Sequence, residues 1–220
     1  MASQGTIAFD MIGTCFSLNK PKQRLVALGA PNYALQLWFA QTLRDAFALS
    51  HARGYQPLKQ MLEAEVPRTL TVLGVDTSPE QRSYVVSAFS ELELETGALE
   101  AFQRLTKGGW RLVALTNGSA ESTYKLLEQA GALQYFTELH SCDEIQITKP
   151  NLKVYRLLQQ NAQDEIWMLA AHAWDIFGAM QAGLKTAFIT SEEGSYLSAY
   201  PQPDVIAPDL VEAVNQIMSA

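Results

Sequence analysis

Thr6-Ile7-Ala8-Phe9-Asp10-Met11-Ile12-Gly13-Thr14-Cys15-Phe16 is the stretch on which the reading of this chain turns. Three consecutive apolar residues, Ile7, Ala8 and Phe9, run straight into Asp10. Glycine and threonine follow three and four positions later. A short apolar run of this kind reads as a strand of a parallel sheet, covered on both faces. Asp10 then stands at its C-terminal end, where open α/β sheets gather their ligands. Gly13 lets the chain turn sharply there, and the Thr14 hydroxyl can bond whatever lies beside the carboxylate. An aspartate so placed serves as a nucleophile, a metal ligand or a helix cap. The stretch alone leaves all three open.

The chain of 220 residues is long enough for one good core and a small second domain. Its net charge of −7, with lysine and arginine scattered, argues against nucleic acid as a partner. A small anionic substrate remains compatible, because one buried lysine suffices for it. Cys15 and Cys142 are far apart and fit no metal-ligand spacing. They read as buried thiols in a reducing compartment, which makes a cytoplasmic location the expectation. The opening residues MASQG carry neither a charged nor an apolar leader pattern, and no apolar run approaches the length of a membrane span.

After Phe16 the pattern becomes helical. Leu25 and Leu28, then Ala34, Leu35, Leu37, Trp38, Phe39, Leu43 and Phe47, suggest two helices split at Gly29-Ala30-Pro31-Asn32. Pro57 opens a third through Leu58, Met61, Leu62 and Val66, which Pro67 is expected to kink or restart. Ser78-Pro79-Glu80 opens a fourth. Trp38, Phe39 and Phe47 read as the core of this insert, and Glu91, Glu93 and Glu95 as a solvated hinge. From Glu95 onward strands and helices alternate, with strands expected near 110–115, 136–141, 166–171, 186–190 and 204–206. The predicted fold is α/β: a doubly wound parallel sheet with an inserted all-helical domain. The core is expected at 1–16 and 93–220, discontinuous, with a helical cap at 17–92 over the strand ends.

Four polar features then fall at strand C-termini: Asp10, Thr116-Asn117, Lys149 with Pro150, and Asp175. In a doubly wound sheet these ends share one rim. An ammonium from Lys149 would keep Asp10 ionised beside Asp175, whose like charge works the other way. Taken singly, each of these residues reads as a cap or a solvated charge. The four in this order and spacing read as a site.

This order resembles the haloacid dehalogenase superfamily, most closely its L-specific 2-haloacid dehalogenase branch. The resemblance rests on FDMIGT at 9–14, LTNGS at 115–119, TKPNLKVY at 148–155 and AAHAWD at 170–175, with the helical insert after the first. It implies a Rossmann-like core and a hydrolase acting through an aspartyl ester on a small carboxylate substrate. Asp10 would be the nucleophile, Lys149 would hold it ionised, and Asp175 would position the hydrolytic water or Lys149. Thr14 and Thr116 would orient carboxylates of enzyme and substrate, and Asn117 would donate to substrate or leaving group. Tyr55 falls where the branch has a pocket aromatic, Tyr155 would support the lysine and count among the substrate-binding residues, and Trp174 keeps an aromatic neighbour. A homodimer is also implied. No metal is expected; were magnesium to bind, Asp10 and Asp175 would hold it. Replacement of Lys149 by alanine is expected to stop turnover with the fold intact.

This sequence departs from the branch at three places. The insert carries Trp38-Phe39 where the branch has Trp-Arg, whose arginine cradles the halide or the substrate carboxylate. Ala170-Ala171-His172 stands for Ser-Ser-Asn, and Ile12 for an aromatic hydroxyl. His172 reads either as a core-edge histidine or as a base or donor sharing a helical face with Asp175. Ile12 also matters for phosphatase chemistry. An alkoxide leaving group needs a proton, which isoleucine cannot supply and a halide does not require. The alternatives are a phosphate-ester or phosphonate hydrolase, and a binding protein of this fold without turnover.

Overall fold

The computed structural model describes residues 4–160 and 165–219; the expected core ranges also take in 1–3, 161–164 and 220, which lie outside the described residues. Its sheet is parallel throughout. It is built from β1 (Thr6–Phe9), β2 (Arg111–Thr116), β3 (Phe136–Ser141), β4 (Ile166–Ala170), β5 (Lys185–Ile189) and β6 (Val205–Ala207). The strand order is β3-β2-β1-β4-β5-β6. β1 therefore lies centrally, and the order reverses at its edge, so the crevice beyond its C-terminal end is the natural ligand site. Doubly wound strands are buried on both faces, which is why TIAF shows no polar alternation. Ile7 and Phe9 enter one apolar cluster and Ala8 the other, on the two-residue period of a strand. Phe9 meets Phe102 and Phe136 edge-on, with ring centroids 5.1 and 6.0 Å away.

Within 17–92 every regular element is helical: α1 (Asn19–Ala27), α2 (Ala34–His51), α3 (Leu58–Val72) and α4 (Pro79–Ser87), then a 3-10 turn at Ala88–Ser90. Trp38 is wholly buried, and its indole Nε1 donates to the Leu62 carbonyl at 3.1 Å. Ser78 and Gln81 form a reciprocal capping box at the start of α4. α3 runs unbroken through Pro67, against the expected restart. The carbonyl that loses its partner belongs to Glu63, on the exposed face, where it is open to solvent. Nor is Glu91 simply solvated. The buried Arg24 guanidinium grips both of its oxygens at 2.7 Å.

The two passages between sheet and insert are tied together. Ser17 N donates to the Glu93 carbonyl and Glu95 N to that of Cys15, both at 2.8 Å, and Phe16 bridges Leu94. The layers close with α5 (Ala98–Lys107) before β2, and with α6 (Ala120–Gln129), α7 (Leu152–Gln159), α8 (Ala173–Gln181) and α9 (Leu210–Ser219) after it. Ser119 and Asn151 cap α6 and α7 through their side chains.

Candidate active site

Asp10 follows β1 directly, and its backbone N–H is pinned to the Leu169 carbonyl of β4 at 3.0 Å. No helix begins at Asp10, so the cap reading is removed. The chain turns back at once: Cys15 N and Phe16 N both bond the Met11 carbonyl, at 3.0 and 2.8 Å. Gly13 has φ +81°, and a Cβ there would sit 2.9 Å from His172 Cε1, so backbone conformation and close approach both call for glycine.

The four rim features converge. Lys149 Nζ donates to Asp10 Oδ1 at 2.7 Å, to Asp175 Oδ2 at 2.6 Å and to the Leu115 carbonyl at 3.0 Å. Lys149 and Asp175 are wholly buried and Asp10 nearly so. Thr14 Oγ1 donates to Asp10 Oδ2 at 2.8 Å and accepts from Ala171 N at 2.9 Å. One short hydroxyl thus ties the ends of β1 and β4 together. Asn117 Oδ1 accepts from Lys149 N at 3.0 Å and from the Cys142 thiol at 3.1 Å. Thr116 Oγ1 accepts from Gly118 N at 2.9 Å. Asn117 therefore spends its carbonyl oxygen on fixing the lysine's backbone, and its amide nitrogen has no acceptor among the described residues.

These contacts decide the charges. Burial pushes the Asp10 carboxyl towards protonation, but the Lys149 charge, the His172 contact and the Lys149 hydrogen bond outweigh it and hold it well below the usual carboxylate range. Burial works against the Lys149 ammonium too, yet the charges of Asp10 and Asp175 raise it. Asp175 is pushed up by burial and by the like charge of Asp10, partly offset by Lys149. Cys142 is pushed up to about 12 by burial, so it stays a thiol and a donor.

Tyr155 does not face the open side, contrary to the substrate-contact role expected for it. It is wholly buried behind Asp175, to whose Oδ1 its hydroxyl donates at 2.6 Å. A Cβ on Gly178 in α8 would lie 2.6 Å from that hydroxyl, so glycine makes the approach possible. Tyr155→Phe leaves a buried carboxylate oxygen short of a donor. It is expected to cost about 1–3 kcal/mol of stability in chemical denaturation. The Tyr55 hydroxyl donates to Asp143 Oδ1.

His172 is not on a helical face with Asp175. It precedes α8 in extended conformation, with φ −116° and ψ 120°. Its ring meets Asp10, Nδ1 lying 3.3 Å from Oδ2. Trp174 stacks on the imidazole at 5.4 Å, and Phe39 closes the other approach at 6.2 Å. His172 and Trp174 line a cavity of about 540 Å³ with Phe39, Phe47, Glu192 and Glu193. Phe39 and Phe47 are thus cavity wall as well as insert core. Arg44 borders the same cavity but is turned to Asp45, at 2.8 and 3.0 Å. A second cavity, about 460 Å³, lies between Ile12, Gly118 and Ser119 of the core and α3 and α4 of the insert.

Sequence reasoning missed Glu192 and Glu193. Glu193 Oε2 accepts from Ala173 N at 3.1 Å, so a loop carboxylate caps the start of α8. The available signal was position: Ser191-Glu192-Glu193 follows the C-terminal end of β5, at the same rim.

The donor set does not fit a divalent ion. The Lys149 ammonium holds the point that an ion shared by Asp10 and Asp175 would need. The remaining carboxylate oxygens are taken by Thr14, His172 and Tyr155. Magnesium demands near-octahedral oxygen ligands at about 2.0–2.1 Å, and a buried ammonium between the two carboxylates opposes it. Among the described residues no group of three or more His, Cys, Asp or Glu gathers as a metal cluster, and no helix is long and apolar enough to cross a membrane.

Residues 5–183 match the family described as haloacid dehalogenase-like hydrolase. The chain belongs to that family of hydrolases. Among known proteins it is similar to an (S)-2-haloacid dehalogenase of Pseudomonas sp. (strain YL), 28% identical over 203 residues, covering 90% of this chain and 88% of the relative. The fold matches the L-2-haloacid dehalogenase from Xanthobacter autotrophicus, with a TM-score of 0.87, 18% identity and 99% of each chain covered. It also matches that Xanthobacter enzyme with chloropropionic acid covalently bound, with a TM-score of 0.83, 17% identity and 98% of each chain covered.

Proposed function

We propose that this hydrolase cleaves the carbon–halogen bond of a small 2-haloacid through an ester on Asp10. The observation that carries the reading is Asp10 itself: a buried, ionised carboxylate at a strand end, held by Lys149 and Thr14, with Ile12 two residues on and no acid there. With no acid at position 12, such a carboxylate is suited to displacing a group that leaves without a proton. In the first step an Asp10 oxygen bonds to the halogen-bearing carbon, and the halide departs with the bonding pair. In the second, water attacks the ester carbonyl carbon, releasing the hydroxy acid and restoring the Asp10 carboxylate; one proton leaves with the halide as the net product. Lys149 stabilises the ionised nucleophile, and Asp175 with Tyr155 behind it holds Lys149. Thr116 and the free amide of Asn117 serve the substrate or the departing halide, and Trp174 walls the pocket. No magnesium is required in this scheme. The covalent adduct of the Xanthobacter enzyme and the activity named for the Pseudomonas relative support it.

The same reading takes 1–16 and 93–220 as the core and 17–92 as the cap, supported by the paired backbone bonds at Cys15–Ser17 and Glu93–Glu95. A homodimer and a cytoplasmic location complete it. The test is halide release from a panel of 2-haloacids, beside phosphate release from phosphorylated metabolites, with and without chelator. Halide release that survives chelation and is lost in Asp10→Asn is the expected result. Phosphate release alone would make it a phosphatase. Ligand binding with no turnover on either panel would make it a binding protein.

A further inference from the structure

The reaction proposed above brings an anion to a site that is already negative. Asp10 and Asp175 share one ammonium, leaving the trio with one negative charge in excess. Glu192 and Glu193 line the adjoining cavity and add to it. Arg44, the cavity's cation, is paired with Asp45. Lys149 cannot serve a substrate, since it is wholly buried and its three donors are spent on Asp10, Asp175 and Leu115. His172 remains. It is more than nine-tenths buried, lines the cavity and touches Asp10 through Nδ1, while its Nε2 has no partner among the described residues.

We propose that the His172 imidazolium is the carboxylate anchor of this site, donating through Nδ1 to Asp10 and through Nε2 to the acid group of the substrate. Protonated, the ring neutralises the excess charge of the trio and offers Nε2–H as a donor. Neutral, with its one proton on Nδ1 towards Asp10, it turns a lone pair to the cavity and repels a carboxylate. The two aromatic neighbours fix its plane: Trp174 stacks within 30° and Phe39 lies at 43°. The groups facing the ring favour the cation. Burial opposes it, but the hydrogen bond and charge of Asp10, then the charges of Asp175 and Glu193, raise its pKa above the ordinary imidazole value. Glu192, across the cavity, is itself pushed up by burial.

This inference rests on the dehalogenase reading for its substrate, but it is tested by binding alone. Propionate and propionamide are titrated into wild-type protein by calorimetry from about pH 5 to about pH 9, either side of the ordinary imidazole range. Propionate affinity is expected to hold at low pH. It should then fall about tenfold per pH unit above the histidine's raised pKa. Propionamide should show no such limb. His172→Gln should lower propionate affinity at low pH by roughly 10- to 100-fold, the scale of a hydrogen bond to a charged group, and remove the limb. Glu192→Gln should keep it. Propionate binding independent of pH in wild type would overturn the proposal, as would a limb that survives His172→Gln or vanishes in Glu192→Gln. The wild-type series stands even if the glutamine variant fails to fold. If propionate binds with the expected limb but no 2-haloacid releases halide, the anchor stands and the dehalogenase reading falls. If halide is released and propionate binding ignores pH, the reverse holds. A pH profile of kcat/KM on 2-chloropropionate adds the sign: an anchor loses activity as pH rises through the histidine's pKa, whereas a water-activating base would gain it.

Discussion

Lys149→Ala is expected to abolish halide release and, unlike the fold-neutral change foreseen from the sequence, to destabilise the protein by about 3–5 kcal/mol, the cost of breaking a buried pair from one side. Lys149 has no exposed surface, and its ammonium is the shared partner of two buried carboxylates. Without it Asp10 and Asp175 face each other uncompensated, and one of them takes a proton to survive. A protonated Asp10 is no nucleophile, so activity and stability fall together. A double variant separates the two effects. Lys149→Met with Asp175→Asn removes one charge of each sign and should regain much of the lost stability. It should regain none of the activity, because nothing then holds Asp10 ionised from that side. Thermal unfolding and halide release on the same preparations read both quantities. A Lys149→Ala variant with near-normal kcat would remove the lysine from the mechanism.

The convergence of Asp10, Lys149 and Asp175 was readable in the sequence because strand ends of a doubly wound sheet lie on one rim whatever their separation along the chain. The strand at Thr6–Phe9 was readable for a related reason: only a strand covered on both faces tolerates an unbroken apolar run directly before a carboxylate. What escaped was side-chain direction. Tyr155 lies one turn into α7, and whether its hydroxyl meets substrate or backs Asp175 depends on how α7 docks against α8 at Gly178. No local pattern encodes that docking. One of the two readings of His172 put it on a helical face with Asp175, whereas α8 starts one residue later and leaves the imidazole on extended backbone, turned to Asp10. Pro67 misled because propensity speaks for the isolated helix; its orphaned carbonyl falls on the exposed face of α3, where the loss is small. Glu193 belongs to a loop without periodicity, so its bond to Ala173 N was beyond any pattern argument.

Asp10→Asn is expected to lower turnover by about 10⁴-fold or more, the scale on which an attacking nucleophile is lost. The loss alone does not say whether Asp10 attacks carbon or deprotonates water, since a general base at the same place would also fail as an amide. Isotope position does. If Asp10 attacks, the oxygen delivered to the product in the first turnover comes from its own carboxylate, and solvent oxygen enters Asp10 when the ester is hydrolysed. With enzyme in excess over 2-chloropropionate in ¹⁸O-water, the product should therefore be unlabelled and the peptide containing Asp10 heavier by one label. Labelled product should appear only over later turnovers. Label in the first-turnover product would mean direct attack by water, with Asp10 as its base. The geometry favours attack by Asp10. Its carboxylate is held ionised by Lys149, kept from rotating by Thr14, and deprived by Ile12 of the acid that other leaving groups need. A base would need the opposite arrangement, a carboxylate able to take up a proton, and Asp10, its pKa depressed by the neighbouring ammonium, is poorly suited to that.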